Sequence, residues 1–103
     1  MTKKEYNGWT NYETWAVKLW MDNEEGSYRY WTDRAEELAA DAGRTDDEPD
    51  VSDFADEIKS QHEDALPKVE GFAADLLNAA MSEVNWYEIA ESLLNDAKES
   101  RAA

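Results

Sequence analysis

The chain has 103 residues, 25 of them Asp or Glu and only 10 Lys or Arg, for a formal net charge of −15. A single domain spanning 1–103 follows from that length, large enough to bury roughly two-thirds of its unfolded surface and to fold without staples. The lack of cysteine excludes disulfides, thiolate metal sites and cysteine nucleophiles, and the acid excess excludes direct binding to nucleic-acid phosphates.

In chain order, no run approaches the roughly 18 apolar residues of a membrane span, and "MTKKEYNGW" has two lysines with no apolar run behind them. A soluble, cytoplasmic protein without membrane attachment is expected. The stretch "GWTNYETWAVKLWMDN" (Gly8–Asn23) then opens on Thr10-Asn11-Tyr12-Glu13, which has the form of a capping box. In such a box the Thr10 hydroxyl accepts from the Glu13 amide, while the Glu13 carboxylate reaches back to Thr10. A helix from about Asn11 to Asp22 follows, with Tyr12, Trp15, Ala16, Leu19 and Trp20 at the spacing of one apolar, inward face.

Gly26 reads as the end of that helix and Ser27 as the cap of a second, which runs to about Ala42 with Gly43 as its stop. Tyr28, Trp31, Ala35, Leu38 and Ala42 form its inner face. A short connection makes the two helices antiparallel neighbours, an aromatic-rich hairpin over 9–43. Residues 44–53, "RTDDEPDVSD", are turn formers and acids and read as a surface loop.

Asp50 or Ser52 begins a third helix with apolar positions Val51, Phe54, Ala55, Ile58, His62, Ala65 and Leu66, and Pro67 breaks it. A fourth places Phe72, Ala73, Leu76, Leu77, Ala80 and Met81 on one face. The last begins at a second box, Asn85-Trp86-Tyr87-Glu88, with Val84 and Ile89 spaced as a hydrophobic staple, and continues through Leu93, Leu94 and Ala97 to about Lys98. No comparable segment alternates with a period of two. The fold class is all-α: a compact bundle of about five short helices, with 52–98 following the hairpin and loop. "TNYETW" and "VNWYEIA" look alike, but nothing after them aligns, so they do not make a repeat.

Chemistry is sparse. His62, the only histidine, has no nucleophile or orienting carboxylate on its helix face and reads as an ordinary helix residue. A di-metal bundle needs Glu-x-x-His, and Lys59 stands where that Glu would be. The acids of residues 46–53 lack the spacing, central glycine and closing Glu of a calcium loop. The four glycines are scattered, so no phosphate cradle exists. No catalytic residue, metal or cofactor is assigned. Tyr12, Trp15 and Trp20 are expected in the core. Trp9 and Tyr30, off the inner faces, are the candidate exposed contacts, since Trp and Tyr dominate interface hot spots.

The acidity divides unevenly: 8 acids to 5 bases over residues 1–40, but 17 to 5 over 41–103. Two readings compete. Asp46, Asp47, Glu48, Asp50, Asp53, Asp56 and Glu57 could imitate the phosphates of DNA before a basic partner. Alternatively the charge keeps the chain hydrated in high salt, where repulsion is screened. Abundant Asp, only six lysines and many alanines favour salt adaptation.

The segment Asn7–Trp31 resembles the opening of a family of small proteins without assigned activity from halophilic archaea, bacteria and their viruses and plasmids, with the pattern N-Y-E-T-W-x-V-x-L-W-x-x-N-[DE]-x-G-x-Y. Phe72–Leu94 resembles the end of the same family. The resemblance implies a mobile-element or viral setting and transfers no reaction. The expected function is non-catalytic: a small acidic helical protein, a viral or plasmid accessory factor, that binds a protein partner through Trp9, Tyr30 and the acids Asp46, Asp47, Glu48, Asp50 and Asp53. The alternative is a DNA-mimic inhibitor, with an enzyme as residual. Surplus aromatics on paired helices also make a homodimer an open expectation.

Overall fold

The structure, a computed structural model, describes residues 6–102. Five helices follow one another: α1 Tyr12–Asn23, α2 Glu25–Arg44, α3 Val51–Ala65, α4 Gly71–Ser82 and α5 Trp86–Ala102. Among the described residues no strand forms, so the chain is all-α, packed through contacts among its helices. Before α1, Tyr6-Asn7-Gly8-Trp9 closes a two-residue hairpin turn. Tyr6 and Trp9 exchange backbone hydrogen bonds of 3.1 and 2.7 Å, and Asn7 and Gly8 both take positive φ, 49° and 91°. Asn-Gly is the dipeptide that tolerates such a turn.

Helix α5 is the centre of the molecule. Its Ile89, Ala90, Leu93, Leu94 and Ala97 are buried, in one cluster with Phe54, Ala55 and Ile58 of α3, Trp31, Ala35 and Ala39 of α2 and Met21 of α1. The period of that stripe is why α5 sits there: a continuous apolar face is covered by α3 and α2 on either side.

Helix α1 is joined to α5 by an exchange of caps. The N-cap of α1 is Asn11, not Thr10: its Oδ1 accepts from the Thr14 amide at 2.9 Å and from the Thr14 hydroxyl at 2.6 Å. Asn85 does the same for the Glu88 amide at 3.0 Å. The second half of each box is crossed. Thr14 Oγ1 accepts from the Asn85 amide at 2.8 Å, and Glu88 Oε1 accepts from the Thr10 amide at 3.1 Å. Asn11 Nδ2 adds a bond to the Glu83 carbonyl at 2.7 Å. Each helix start therefore satisfies a backbone N–H belonging to the other, which fixes the two N-termini side by side. The likeness of "TNYETW" to "VNWYEIA" is the trace of this exchange.

That junction turns α1 by more than one residue from its expected orientation. Thr14, Lys18 and Met21 are the buried side chains and Val17 packs against the core, whereas Tyr12, Leu19 and Trp20 are exposed. Lys18 tolerates burial because its Nζ donates to both oxygens of Asp22 at 2.8 Å while its alkyl stem packs inside. Trp15 is half-buried.

Other boundaries shift less. One residue, Glu24, separates α1 from α2 and caps the latter, its Oε1 accepting from the Gly26 amide at 2.8 Å; Gly26 therefore lies inside the first turn instead of ending α1, and Ser27 is not the cap. Helix α2 runs through Gly43, and its exposed Tyr28 is not part of the inner face. It ends in a Schellman closure, Asp47 N–H to Ala42 carbonyl at 2.9 Å and Asp46 N–H to Gly43 carbonyl at 3.2 Å, with Asp46 at φ 56°. Asp50 caps α3, and Leu66 ends it before Pro67.

Candidate partner-binding surface

Helix α4 departs most from expectation. None of its residues is buried. Its apolar side chains cover an arc wider than its neighbours reach: Ala74, Leu77 and Met81 turn partly inward, while Phe72 is 80% exposed and Leu76 56%. Glycine at its first position, φ 63°, lets the chain turn sharply into the helix after the extended Pro67–Glu70 connection.

Between α4 and the body lies a groove of about 390 Å³. Helix α1 supplies Ala16, Val17, Trp20 and Met21; the end of α3 supplies His62 and Leu66; α4 gives Met81 and α5 gives Trp86. Glu24 and Ser27 complete its edge. Trp20, 75% exposed, projects at its rim. A second depression of about 350 Å³, walled by Glu63, Leu66, Pro67, Lys68, Val69, Ala74, Leu77, Asn78 and Met81, shares Leu66 and Met81 with the first. The two adjoin along Leu66 and Met81; the first is walled mainly by apolar and aromatic side chains, the second by a mixture of apolar side chains with Glu63, Lys68 and Asn78.

His62 is part of this wall for structural reasons. Its Nδ1 lies 2.7 Å from the Ile58 carbonyl, which assigns the proton to Nδ1. The ring stacks on Trp31, centroids 5.8 Å apart at 20°, and tilts against Trp86 at 5.6 Å. Among the described residues no three His, Asp or Glu side chains are grouped to hold a metal ion.

The residues expected to make contacts lie elsewhere and apart. Trp9 is half-buried, packed on the core and bordering a polar depression with Glu88, Glu91 and Asp96, so it is not the free ring its position off the helix suggests. Tyr30 is exposed; its hydroxyl accepts from Gln61 Nε2 at 2.9 Å and its ring meets Trp31 edge-on. Neither borders the apolar groove. The acids have local duties: Asp46 occupies the left-handed closure of α2, Asp47 Oδ1 accepts from the Glu48 amide at 2.8 Å, Glu48 pairs with Lys98, and Asp50 accepts from the Asp53 amide at 3.0 Å. Asp53 and Asp56 remain exposed. Glu57 takes the Arg34 guanidinium in a two-pronged pair, 2.8 Å to Nε and 2.9 Å to Nη2, with Glu37 on the third nitrogen. These hydrogen bonds, Glu57 first, raise the Arg34 pKa above its ordinary value. A raised Arg34 pKa favours the folded state at every pH below the unfolded value, so the guanidinium does not itself titrate where the protein is handled, and the pair lasts as long as its carboxylate partners stay ionised.

What fold and surface define together is a strongly acidic, all-α domain of five helices, with one helix held at the edge of the body and an apolar groove beside it. The chain belongs to DUF7249, a family of unknown function, which matches residues 2–100. No curated protein and no solved structure matches it. Among the described residues no helix is long and apolar enough to cross a membrane.

Proposed function

We propose that this protein is a non-catalytic binding module whose partner, another protein, seats on the groove between α1 and α4. The observation that carries this reading is Trp20: of the exposed large apolar side chains among the described residues, it is the one that lies at the lip of the apolar groove, with three-quarters of its surface exposed. An apolar groove rimmed by charge is the usual character of a protein contact site, and a Trp at its edge is the residue type that most often dominates binding energy. The non-catalytic part draws support from His62, whose ring stacks on Trp31 and tilts against Trp86, with Nδ1 committed to a carbonyl. A viral or plasmid accessory role is proposed on the likeness of the Asn11–Tyr28 motif alone.

The test is site-specific photocrosslinking in cells that carry the gene, with the photoreactive side chain placed at Trp20 or, as a control, at the exposed Asp33 on α2. A discrete adduct from position 20 and none from position 33 is expected. The same adducts from both positions, or none from position 20, would overturn the reading.

A further inference from the structure

Resting on that reading of the groove, we infer that its occupant is a cationic amphipathic helix of the partner protein. The two adjoining depressions offer an apolar seat beside Trp20 and Trp86 and a mixed seat where Leu77 and Val69 lie beside Glu63 and Lys68, joined through Leu66 and Met81. An amphipathic helix presents anchors one and two turns apart on one face, the pattern such a pair of seats accepts, and methionine walls adapt to their shape. The charge around the seats selects the sign of the helix's outer face. Glu24 borders the first seat and Glu63 the second, with Lys68 the one cation in either wall. The net −15 of the whole chain extends that bias outward, so a positively charged segment is steered in and an anionic one is repelled.

The same argument disfavours a second copy. Another molecule of this chain carries the same −15, and five of its ten basic side chains, Lys18, Arg29, Arg34, Arg44 and Lys98, are already held by Asp22, Glu25, Glu57 with Glu37, Asp41 and Glu48 of its own chain. Its large net negative charge repels it from a groove already bordered by Glu24 and Glu63. Anionic membrane surfaces fail on the same sign.

The probe is a fluorescein-labelled synthetic Leu/Lys amphipathic helix of about four turns, compared by anisotropy with a Leu/Glu helix of identical apolar pattern and with a scrambled Leu/Lys peptide that has no single apolar face. The Leu/Lys helix is expected to bind at least about tenfold more tightly than either control. Trp20→Ser should weaken it about tenfold, and Glu24→Gln with Glu63→Gln should weaken it by a smaller factor that shrinks as KCl is added. Gln at position 24 keeps an acceptor for the Gly26 amide, so the start of α2 is preserved. Equal binding of the scrambled peptide, or indifference to Trp20→Ser, would reduce the effect to charge adsorption and overturn the inference. Equal binding of the Leu/Glu helix would remove the charge selection while leaving the groove as a contact site. No peptide binding, with the crosslink from position 20 intact, would sink the cationic helix and spare the binding module; loss of the crosslink as well would end both. A homodimer in sedimentation equilibrium that Trp20→Ser dissociates would assign the groove to a second copy instead.

Discussion

Helices α4 and α5 carry apolar stripes of the same period, and the protein uses them in opposite ways. Ile89, Ala90, Leu93, Leu94 and Ala97 of α5 are all buried beneath α2 and α3, whereas no residue of α4 is buried and Phe72 and Leu76 face outward. Periodicity tells which face of a helix is apolar; it does not tell whether the chain itself covers that face. The surplus on α4 is where the molecule has apolar surface left to offer.

The contrast can be broken most forcefully from the α5 side. Leu94 is enclosed in the core, so Leu94→Ala removes buried carbons and leaves a cavity, an expected loss of about 3 kcal/mol in urea unfolding. Leu76→Ala, the same chemical change on α4, is expected to cost less than about 0.5 kcal/mol. Comparable losses at both positions would mean that α4 is as tightly integrated as α5.

Next in size is the junction between the two capped ends. Thr14 is 0% exposed, and its Oγ1 both donates to Asn11 and accepts from the Asn85 amide. Thr14→Val keeps the shape and orphans that amide, which should cost about 2 kcal/mol. Hydrogen exchange at Asn85 should quicken in the variant while amides within α4 do not change. If the loss is instead confined to α1, the crossed caps do not couple the two helices as the geometry requires.

How far the sequence could be read follows the same division between local and distant causes. Helix number, a helix start at Asp50 or Ser52, the break at Pro67 and the core face of α5 are set by neighbours in the chain and were legible there; the loop expected over 44–53 is shorter, since α2 runs to Arg44 and α3 begins at Val51. The orientation of α1 was not. Two candidate stripes overlap on that helix, and the more aromatic one, Tyr12, Trp15, Leu19 and Trp20, loses to Thr14, Val17, Lys18 and Met21. The deciding bond joins Thr14 to a residue 71 positions away, and a buried lysine neutralised by Asp22 does not look apolar in a hydropathy pattern. The groove was hidden for a related reason: Trp20, Leu66, Met81 and Trp86 come from α1, the end of α3, α4 and α5, and only the fold brings them together. The Asn7-Gly8 turn, by contrast, has a readable signal in its dipeptide, one that an all-helical reading passes over.

A smaller effect separates local backbone cost from surface charge. Asp46 sits at φ 56°, where a side chain is strained and glycine is not. Asp46→Gly relieves that strain but also loosens the unfolded chain, leaving an expected gain of about 0.5 kcal/mol. The gain should survive in high KCl. If it vanishes as salt is added, repulsion among the acids of the loop, and not the backbone, is its source.

The smallest change expected is Phe72→Asp, and it is the sharpest test of α4 as an arm with surface to spare. The ring is 80% exposed, so its removal withdraws little apolar area from the folded core. Aspartate within the first turn of α4, which now holds no acidic side chain although Glu70 is the N-cap, faces the positive end of that helix and contributes a few tenths of a kcal/mol in the opposite direction. The two terms should leave stability within about 0.5 kcal/mol of the parent in urea unfolding. A loss beyond about 1 kcal/mol would require Phe72 to be covered in solution, by the body of the protein or by a second copy. Repeating the measurement over a range of protein concentrations separates those causes, because only a second copy makes the loss depend on concentration.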